Sequence, residues 1–267
     1  MPLAVEIQGE GFPILCLHGH PGSAQCMRVF TRYLSREYQT LSPDLRGYGQ
    51  SQTQTAFAME DHLQDLNQLL DRYDISQCLI LGWSLGGILA LEMTLRHPDR
   101  VKALILVATA AYPRSNHPPI FWQDNFFTAV AGIMNWMWPG WIWNINTFGQ
   151  RSLFRYLMAQ QKSPAYRYLA QHAVPAYWRT SRYAHQALNQ ALRQGYNQEA
   201  ELHKIACPCL VLAGAEDRHI TAAASLATAQ QLKQSKWICY EGTAHLFPWE
   251  IPGLVQRDIQ VWLQDHL

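Results

Sequence analysis

The chain has 267 residues, a net charge of +1 and 48% apolar residues. That length suits one α/β domain with an insert and a large core, and the even charge excludes the global basic footprint of a nucleic-acid binder. The six cysteines, Cys16, Cys26, Cys78, Cys207, Cys209 and Cys239, have neither zinc-site nor C-x-x-C spacing. Five fall on or beside predicted strands, where a free cysteine acts as a small apolar residue, so they read as reduced and predict a cytoplasmic protein. Residues 1–9 lack the basic and apolar regions of a secretory signal, and no repeat or low-complexity tract is evident.

Apolar runs predict strands near 3–8, 14–18, 38–43, 78–82, 101–107, 208–213 and 236–240. Helical patterns fall near 24–36, 58–72, 85–97, 221–232 and 250–265. The alternation predicts an α/β fold with a mostly parallel sheet covered by helices on both faces.

Ile14-Leu15-Cys16-Leu17 leads into His18-Gly19-His20-Pro21-Gly22, and Ser23 is placed to cap the helix that starts near Ala24. The stretch from Asp44 to Ser51 is rich in turn residues and reads as structural. Next, the strand Cys78-Leu79-Ile80-Leu81 runs into Gly82-Trp83-Ser84-Leu85-Gly86-Gly87 and then a helix. A sharp strand-to-helix turn exposes a serine at the strand's carboxyl end, and glycines at 82 and 86 make room for it. Ser84 is therefore the candidate nucleophile. In such an elbow the oxyanion donors are the N–H after the nucleophile and one from the loop after the earlier strand, here Leu85 and His20.

Residues 111–200 break the alternation and are helical in texture. They hold six of the ten tryptophans (Trp122, Trp136, Trp138, Trp141, Trp143 and Trp178), with Phe121, Phe126, Phe127, Met134 and Met137 among them. Either a small helical layer needs large residues to pack, or the aromatics line a wide apolar pocket. From 112 to 198, eight basic residues (Arg114, Arg151, Arg155, Lys162, Arg167, Arg179, Arg182, Arg193) face a single acid, Asp124, a net of +7 against −6 for the remainder. That excess suits a solvated basic face, an anionic membrane surface or an acidic carrier partner. The run from Phe126 to Trp138 is too short to span a bilayer and is broken by Pro139-Gly140, but it could rest at an interface, where tryptophan is favoured.

Cys209-Leu210-Val211-Leu212-Ala213 then runs into Gly214-Ala215-Glu216-Asp217, and Lys236-Trp237-Ile238-Cys239-Tyr240 into Glu241-Gly242-Thr243-Ala244-His245. A serine nucleophile needs a base and the base an orienting acid. His245 is the candidate base and Asp217 the candidate acid, with Glu216 as a rival; each follows a predicted strand, so all three groups emerge at one sheet edge. His219 sits on the acid's own loop and is a poor partner for it. His18, His62, His97, His172 and His185 read as structural or surface residues.

Together these pieces resemble the α/β-hydrolase family, in its esterase, C–C hydrolase and haloperoxidase-like branch. The resemblance covers His18 to Gly22, Asp44 to Ser51 (a D-x-R-G-x-G-x-S loop), Gly82 to Gly87, Gly214 to Asp217 and Gly242 to His245, in the family's order. It implies a core formed by residues 1–110 and 201–267 and a helical cap of 111–200 above the active site, with a shortened first hairpin. Haloalkane dehalogenases and epoxide hydrolases of this fold resemble the chain at His20-Pro21 but attack with aspartate, whereas Ser84 implies an acyl ester. The expected activity is that of a serine carboxylic-ester hydrolase with a small lipophilic acyl substrate, needing neither metal nor organic cofactor. A C–C bond hydrolase of vinylogous ketones and a ligand-binding homologue with little turnover are the alternatives. A prolyl aminopeptidase, which binds its cationic amine with cap carboxylates, fits poorly with Asp124 as the cap's one acid.

Overall fold

The computed structural model describes residues 1–160 and 163–267, so Lys162 of the basic set lies outside the described residues. Seven strands form one sheet: β1 (Val5–Gln8), β2 (Pro13–Leu17), β3 (Gln39–Pro43), β4 (Cys78–Trp83), β5 (Val101–Val107), β6 (Cys209–Gly214) and β7 (Ser235–Tyr240). Their order is β1-β3-β2-β4-β5-β6-β7; β1 pairs with β3 antiparallel and every other pair is parallel. The sheet helices are α1 (Arg28–Leu34), α2 (Met59–Arg72) and α3 (Leu85–Arg96). Between β5 and β6 come α4 (Trp122–Met137), α5 (Ile142–Thr147), α6 (Ser163–Tyr168), α7 (Val174–Trp178) and α8 (Arg182–Arg193). The chain then adds α9 (Ala222–Gln231), α10 (Phe247–Glu250) and α11 (Pro252–Gln264).

The inner strands β2, β4 and β6 are apolar without interruption because both faces of the sheet are covered there. Leu15, Leu17, Ile80, Leu104 and Val211 pack with Leu63, Leu66, Leu69 and Leu70 of α2 and Leu89 of α3. Their neighbours in sequence, Ile14, Cys16, Leu79, Leu81, Ile105 and Leu210, point the other way, onto Phe30 of α1 and Ile259 and Trp262 of α11. Six free cysteines are described, four of them buried. Each predicted strand is found within about two residues of its expected bounds, the usual uncertainty of element ends.

Two expected helices differ in detail. The helix expected over 250–265 is found as α11, its start set back to Pro252 and separated from the short α10 at Ile251, whose φ of −134° and ψ of 51° leave the helical region. Pro252 follows, and a residue before proline disfavours helical backbone. Ser23 makes no cap hydrogen bond to the 3-10 turn that precedes α1. The Asp44 carboxylate takes that place: Oδ1 accepts the Ala24 N–H at 2.7 Å and Oδ2 the Gln50 N–H at 2.7 Å. An ionised acceptor outcompetes a hydroxyl at a helix start.

The turn-rich segment after β3 is structural, as read. Besides the Asp44 contacts, Arg46 forks onto the buried Asp65 of α2 at 2.6 and 2.7 Å. Of the two readings of the insert's aromatics, neither a packed layer of tryptophans nor an enclosed tryptophan-lined pocket is seen among the described residues. All six of its tryptophans are 42% to 76% exposed, and those that border hollows border open surface grooves. On α4 the cause is that Asp124, Ala131 and Asn135 turn inward, which leaves Trp122 and Trp136 outside. Among the described residues no helix is long and apolar enough to cross a membrane.

Candidate active site

β4 lies between β2 and β5, and its end is where the sequence turns most sharply. Ser84 has φ 54° and ψ −116°, outside the ordinary regions for a residue with a side chain. The surroundings hold it there. Its N–H donates to the Val107 carbonyl at 2.9 Å, and its own carbonyl accepts from Thr109 Oγ1 at 2.9 Å and from the Gly87 N–H at 2.9 Å. A Cβ on Gly86 would lie 2.1 Å from the Leu17 carbonyl oxygen, and one on Gly82 would lie 2.3 Å from that of Gly86. The elbow therefore requires both glycines. Ser84 itself is 4% exposed.

The loop after β2 closes over this turn. A Cβ on Gly19 would sit 3.1 Å from Ser84 Cβ, which puts the Gly19-His20 backbone directly against the serine. Among the described residues, neither the His20 N–H nor the Leu85 N–H has a protein acceptor. Leu85 opens α3, so its free N–H is one of the unpaired donors at a helix start. The loop is braced by His18, whose Nδ1 donates to the Gly19 carbonyl at 2.8 Å while Nε2 accepts the Leu45 N–H at 3.1 Å. His20 Nδ1 lies 2.7 Å from the Tyr48 hydroxyl, and its ring packs edge-on against His185 of α8. Burial, with His185 beside it, pushes the His20 imidazole down to about 3, so it is neutral at ordinary pH.

The loops after β6 and β7 bring Asp217 and His245 together. His245 Nδ1 donates to Asp217 Oδ2 at 2.8 Å, with both side chains buried. The other carboxylate oxygen, Oδ1, accepts the N–H groups of His219 at 2.8 Å and Ile220 at 3.0 Å. Glu216, the rival acid, is exposed, and its N–H is tied to the Thr243 carbonyl at 2.8 Å. His245 reaches the serine's neighbourhood through Trp83, whose ring centroid is 5.7 Å away. Among the described residues no hydrogen bond joins Ser84 Oγ to His245. The described surface hollows lie elsewhere, on the insert and along its seams with the sheet.

Several contacts around the site have no local mark in the sequence. His219 does not partner the acid through its ring; it packs edge-on against His245 with centroids 4.7 Å apart. Its Nδ1 is 3.0 Å from His117 Nε2, on the segment between β5 and α4. Burial, followed by the nearby His245, pushes His219 down to about 3, and burial also lowers His117. Glu250 of α10 accepts the Ala244 N–H at 2.9 Å and also holds the Gln160 N–H, while the Leu246 N–H donates to the Leu157 carbonyl at 2.9 Å. Two bonds thus tie the His245 loop to the insert. Nothing local in sequence marks the bond from Gln160 to Glu250 or the contact between His117 and His219, because those partners are 90 and 102 residues apart along the chain.

Comparisons with known proteins identify the family. A family model described as the alpha/beta hydrolase fold matches residues 13–252. The chain is 26% identical over 262 residues to (E)-2-((N-methylformamido)methylene)succinate hydrolase of Acinetobacter baylyi, covering 96% of this chain and 92% of that protein. It is 34% identical over 118 residues to the pimeloyl-[acyl-carrier protein] methyl ester esterase of Hamiltonella defensa, covering 43% of this chain and 44% of that one. Among solved structures, a thermophilic esterase from Thermogutta terrifontis superposes with a TM-score of 0.75 at 25% identity, over 99% of this chain and 94% of the other. A serine on a strained turn, an Asp–His pair on the same sheet edge and a match spanning nearly the whole sheet have one common explanation: the chain belongs to the α/β-hydrolase fold family.

Proposed function

We propose that the protein is a serine hydrolase that cleaves carboxylic esters through an acyl-enzyme on Ser84. The observation that carries this reading is the buried 2.8 Å His245–Asp217 pair beside a serine held at φ 54°. An Asp that holds Nδ1–H leaves Nε2 of the same ring free to accept a proton.

In the reaction, Ser84 Oγ attacks the ester carbonyl carbon and its proton passes to His245 Nε2. The carbonyl π electrons move to oxygen, which the N–H groups of His20 and Leu85 hold. Collapse of this intermediate breaks the bond to the alkoxy group, and His245 gives the leaving alcohol its proton. Water, deprotonated by His245, then attacks the acyl carbon and releases the carboxylic acid and free Ser84. Asp217 stays ionised and stabilises the imidazolium in both halves. Catalytic hydrogen bonds are often long without substrate and tighten only in the substrate complex, so a serine–histidine bond is expected to form there.

The choice of acyl chemistry rests on the nucleophile, since a serine forms an acyl ester and the aspartate-using relatives form alkyl esters. A lipophilic acyl group is supported by the rings near Ser84, where Trp83 packs on Trp249 at 4.7 Å and against His245. The exposed tryptophans of the insert lend no support to this point. The test is a panel of p-nitrophenyl esters of increasing chain length, run beside a vinylogous diketone, with fluorophosphonate labelling of Ser84. Turnover of esters with labelling at Ser84 is the expected result. Turnover of the diketone alone assigns C–C hydrolysis, and labelling without turnover of either assigns a binding protein.

A further inference from the structure

The outward face of the insert is built against the usual rule for a helix in water. On α4 the inward stripe is Asp124, Thr128, Ala131 and Asn135, at helical spacing. Each polar member is satisfied. Asp124 pairs with Arg155 at 2.6 Å and accepts the Phe121 N–H at 2.9 Å. Thr128 Oγ1 donates to the Asp124 carbonyl at 2.6 Å and accepts the Leu153 N–H at 3.0 Å. Asn135 donates to the Ala170 carbonyl at 2.7 Å and accepts the Gly140 N–H at 2.9 Å.

The opposite stripe is Trp122, Phe126, Ile133 and Trp136, which are 74%, 53%, 59% and 76% exposed. A helix at a water-facing surface carries the reverse pattern, apolar inside and polar outside. Nor is the inversion confined to one helix. Of the 20 large apolar side chains exposed on the described molecule, 13 fall between Ile120 and Trp178. Beside α4, a surface groove of about 520 Å³ runs to α7, bordered by Ile133, Trp136, Pro139, Pro175, Trp178 and Arg179.

Charge narrows the choice of occupant. Arg179 borders the groove, and Arg151 stands over the Phe127 ring at 5.8 Å, next to Phe126. Both are exposed, and among the described residues neither has an acidic partner. The single acid of residues 112–198, Asp124, is buried and spent on Arg155. The face is thus an aromatic centre with a basic edge, and among the described residues of 112–198 no carboxylate is exposed to repel an anionic surface.

We propose that this face docks on the interfacial region of an anionic lipid bilayer, with the α4 stripe and Trp178 among the acyl chains and headgroups. Tryptophan is favoured at that depth, and a flanking cation adds attraction to anionic headgroups. A second copy of the chain fits less well, because a two-fold contact sets the same patch on itself and brings unpaired arginines together. An acidic carrier protein would account for the arginines and leave the tryptophans unexplained.

The experiment is flotation of the full chain with phosphatidylcholine vesicles, with and without phosphatidylglycerol, at low and high salt. Quenching of tryptophan fluorescence by brominated lipid is read on the same samples. The expected result is salt-sensitive flotation with the anionic vesicles together with quenching. Combined Trp136→Ser and Trp178→Ser should abolish it, and Arg151→Gln or Arg179→Gln should each weaken it roughly fivefold. The unmodified chain alone decides through quenching, so a misfolded variant does not blur the outcome. Absence of flotation and quenching at low salt overturns the proposal. So does a concentration-dependent dimer that the tryptophan substitutions dissolve, or binding to an acidic acyl carrier without binding to vesicles. Since no step is read through catalysis, these outcomes are separate from the fate of the Ser84 assignment.

Discussion

The sheet and the insert bury opposite kinds of side chain. In β4 every residue from Cys78 to Trp83 is buried, and the polar groups nearby are few and fixed, such as Ser84 and His245. In α4 the buried residues are Asp124, Ala131 and Asn135, while Trp122 and Trp136 stand outside. The contrast teaches that a segment's hydrophobicity does not state which way it faces. Strands inside a doubly covered sheet have no alternative to burial. A helix on a surface layer can turn its polar side inward if partners wait there, and here Arg155, Leu153 and Ala170 supply them.

The sheet edge can be broken at single residues. Ser84→Ala should lower ester turnover by about 10⁶-fold with the melting temperature unchanged, by analogy with other serine nucleophiles. Persistent fluorophosphonate labelling in that variant would assign the reaction to another residue. Asp217→Asn should cost roughly 10⁴-fold in kcat, because the wrong histidine tautomer is then favoured. Glu216→Gln, on an exposed side chain one residue away, should leave kcat nearly intact. A reversal of those two results would move the acid to Glu216.

The core also has a pH signature that the insert's outer face lacks. Burial pushes His20 and His219 down to about 3 and His62 to about 4, against an ordinary 6.5. Between those values the unfolded chain binds protons that the folded chain does not. Stability is therefore full above about pH 6.5 and falls below it, by about 1.4 kcal/mol per pH unit for each such histidine. Melting curves taken between about pH 7 and pH 5 should show the transition falling steadily. A level transition over that range would mean these rings are hydrated.

The smallest effects sharpen the contrast within α4. Asn135→Ala leaves the Ala170 carbonyl and the Gly140 N–H without their partner, at a cost of about 1–3 kcal/mol. Trp122→Gln, on a side chain 74% exposed, should change stability by no more than about 0.5 kcal/mol. Urea denaturation measures both. If the tryptophan proves the costlier loss, the helix packs by its aromatic side and the inversion is wrong.

Much of the site was legible residue by residue. Gly82, Ser84 and Gly86 announce the elbow because a strand cannot turn into a helix there with larger neighbours. Asp217 and His245 were placed by their positions just after strands, since a parallel sheet delivers such positions to one edge. Ser23 does not cap because the competing Asp44 carboxylate, 20 residues beyond Ala24, arrives only when β3 pairs beside β2. The His117–His219 contact, the edge-on packing of His219 on His245 and the bond from Gln160 to Glu250 are invisible for the same reason.

By itself the sequence determined what local chemistry and periodicity dictate: the strands, their turns, the elbow and the chain order of its partners. Tertiary structure alone decided the orientation of the insert. Composition counts tryptophans and arginines, but orientation is set by whichever face of a helix finds hydrogen-bond partners when layers meet. For α4 that was the face carrying Asp124, Thr128 and Asn135, whose burial without partners would have been too costly to survive folding.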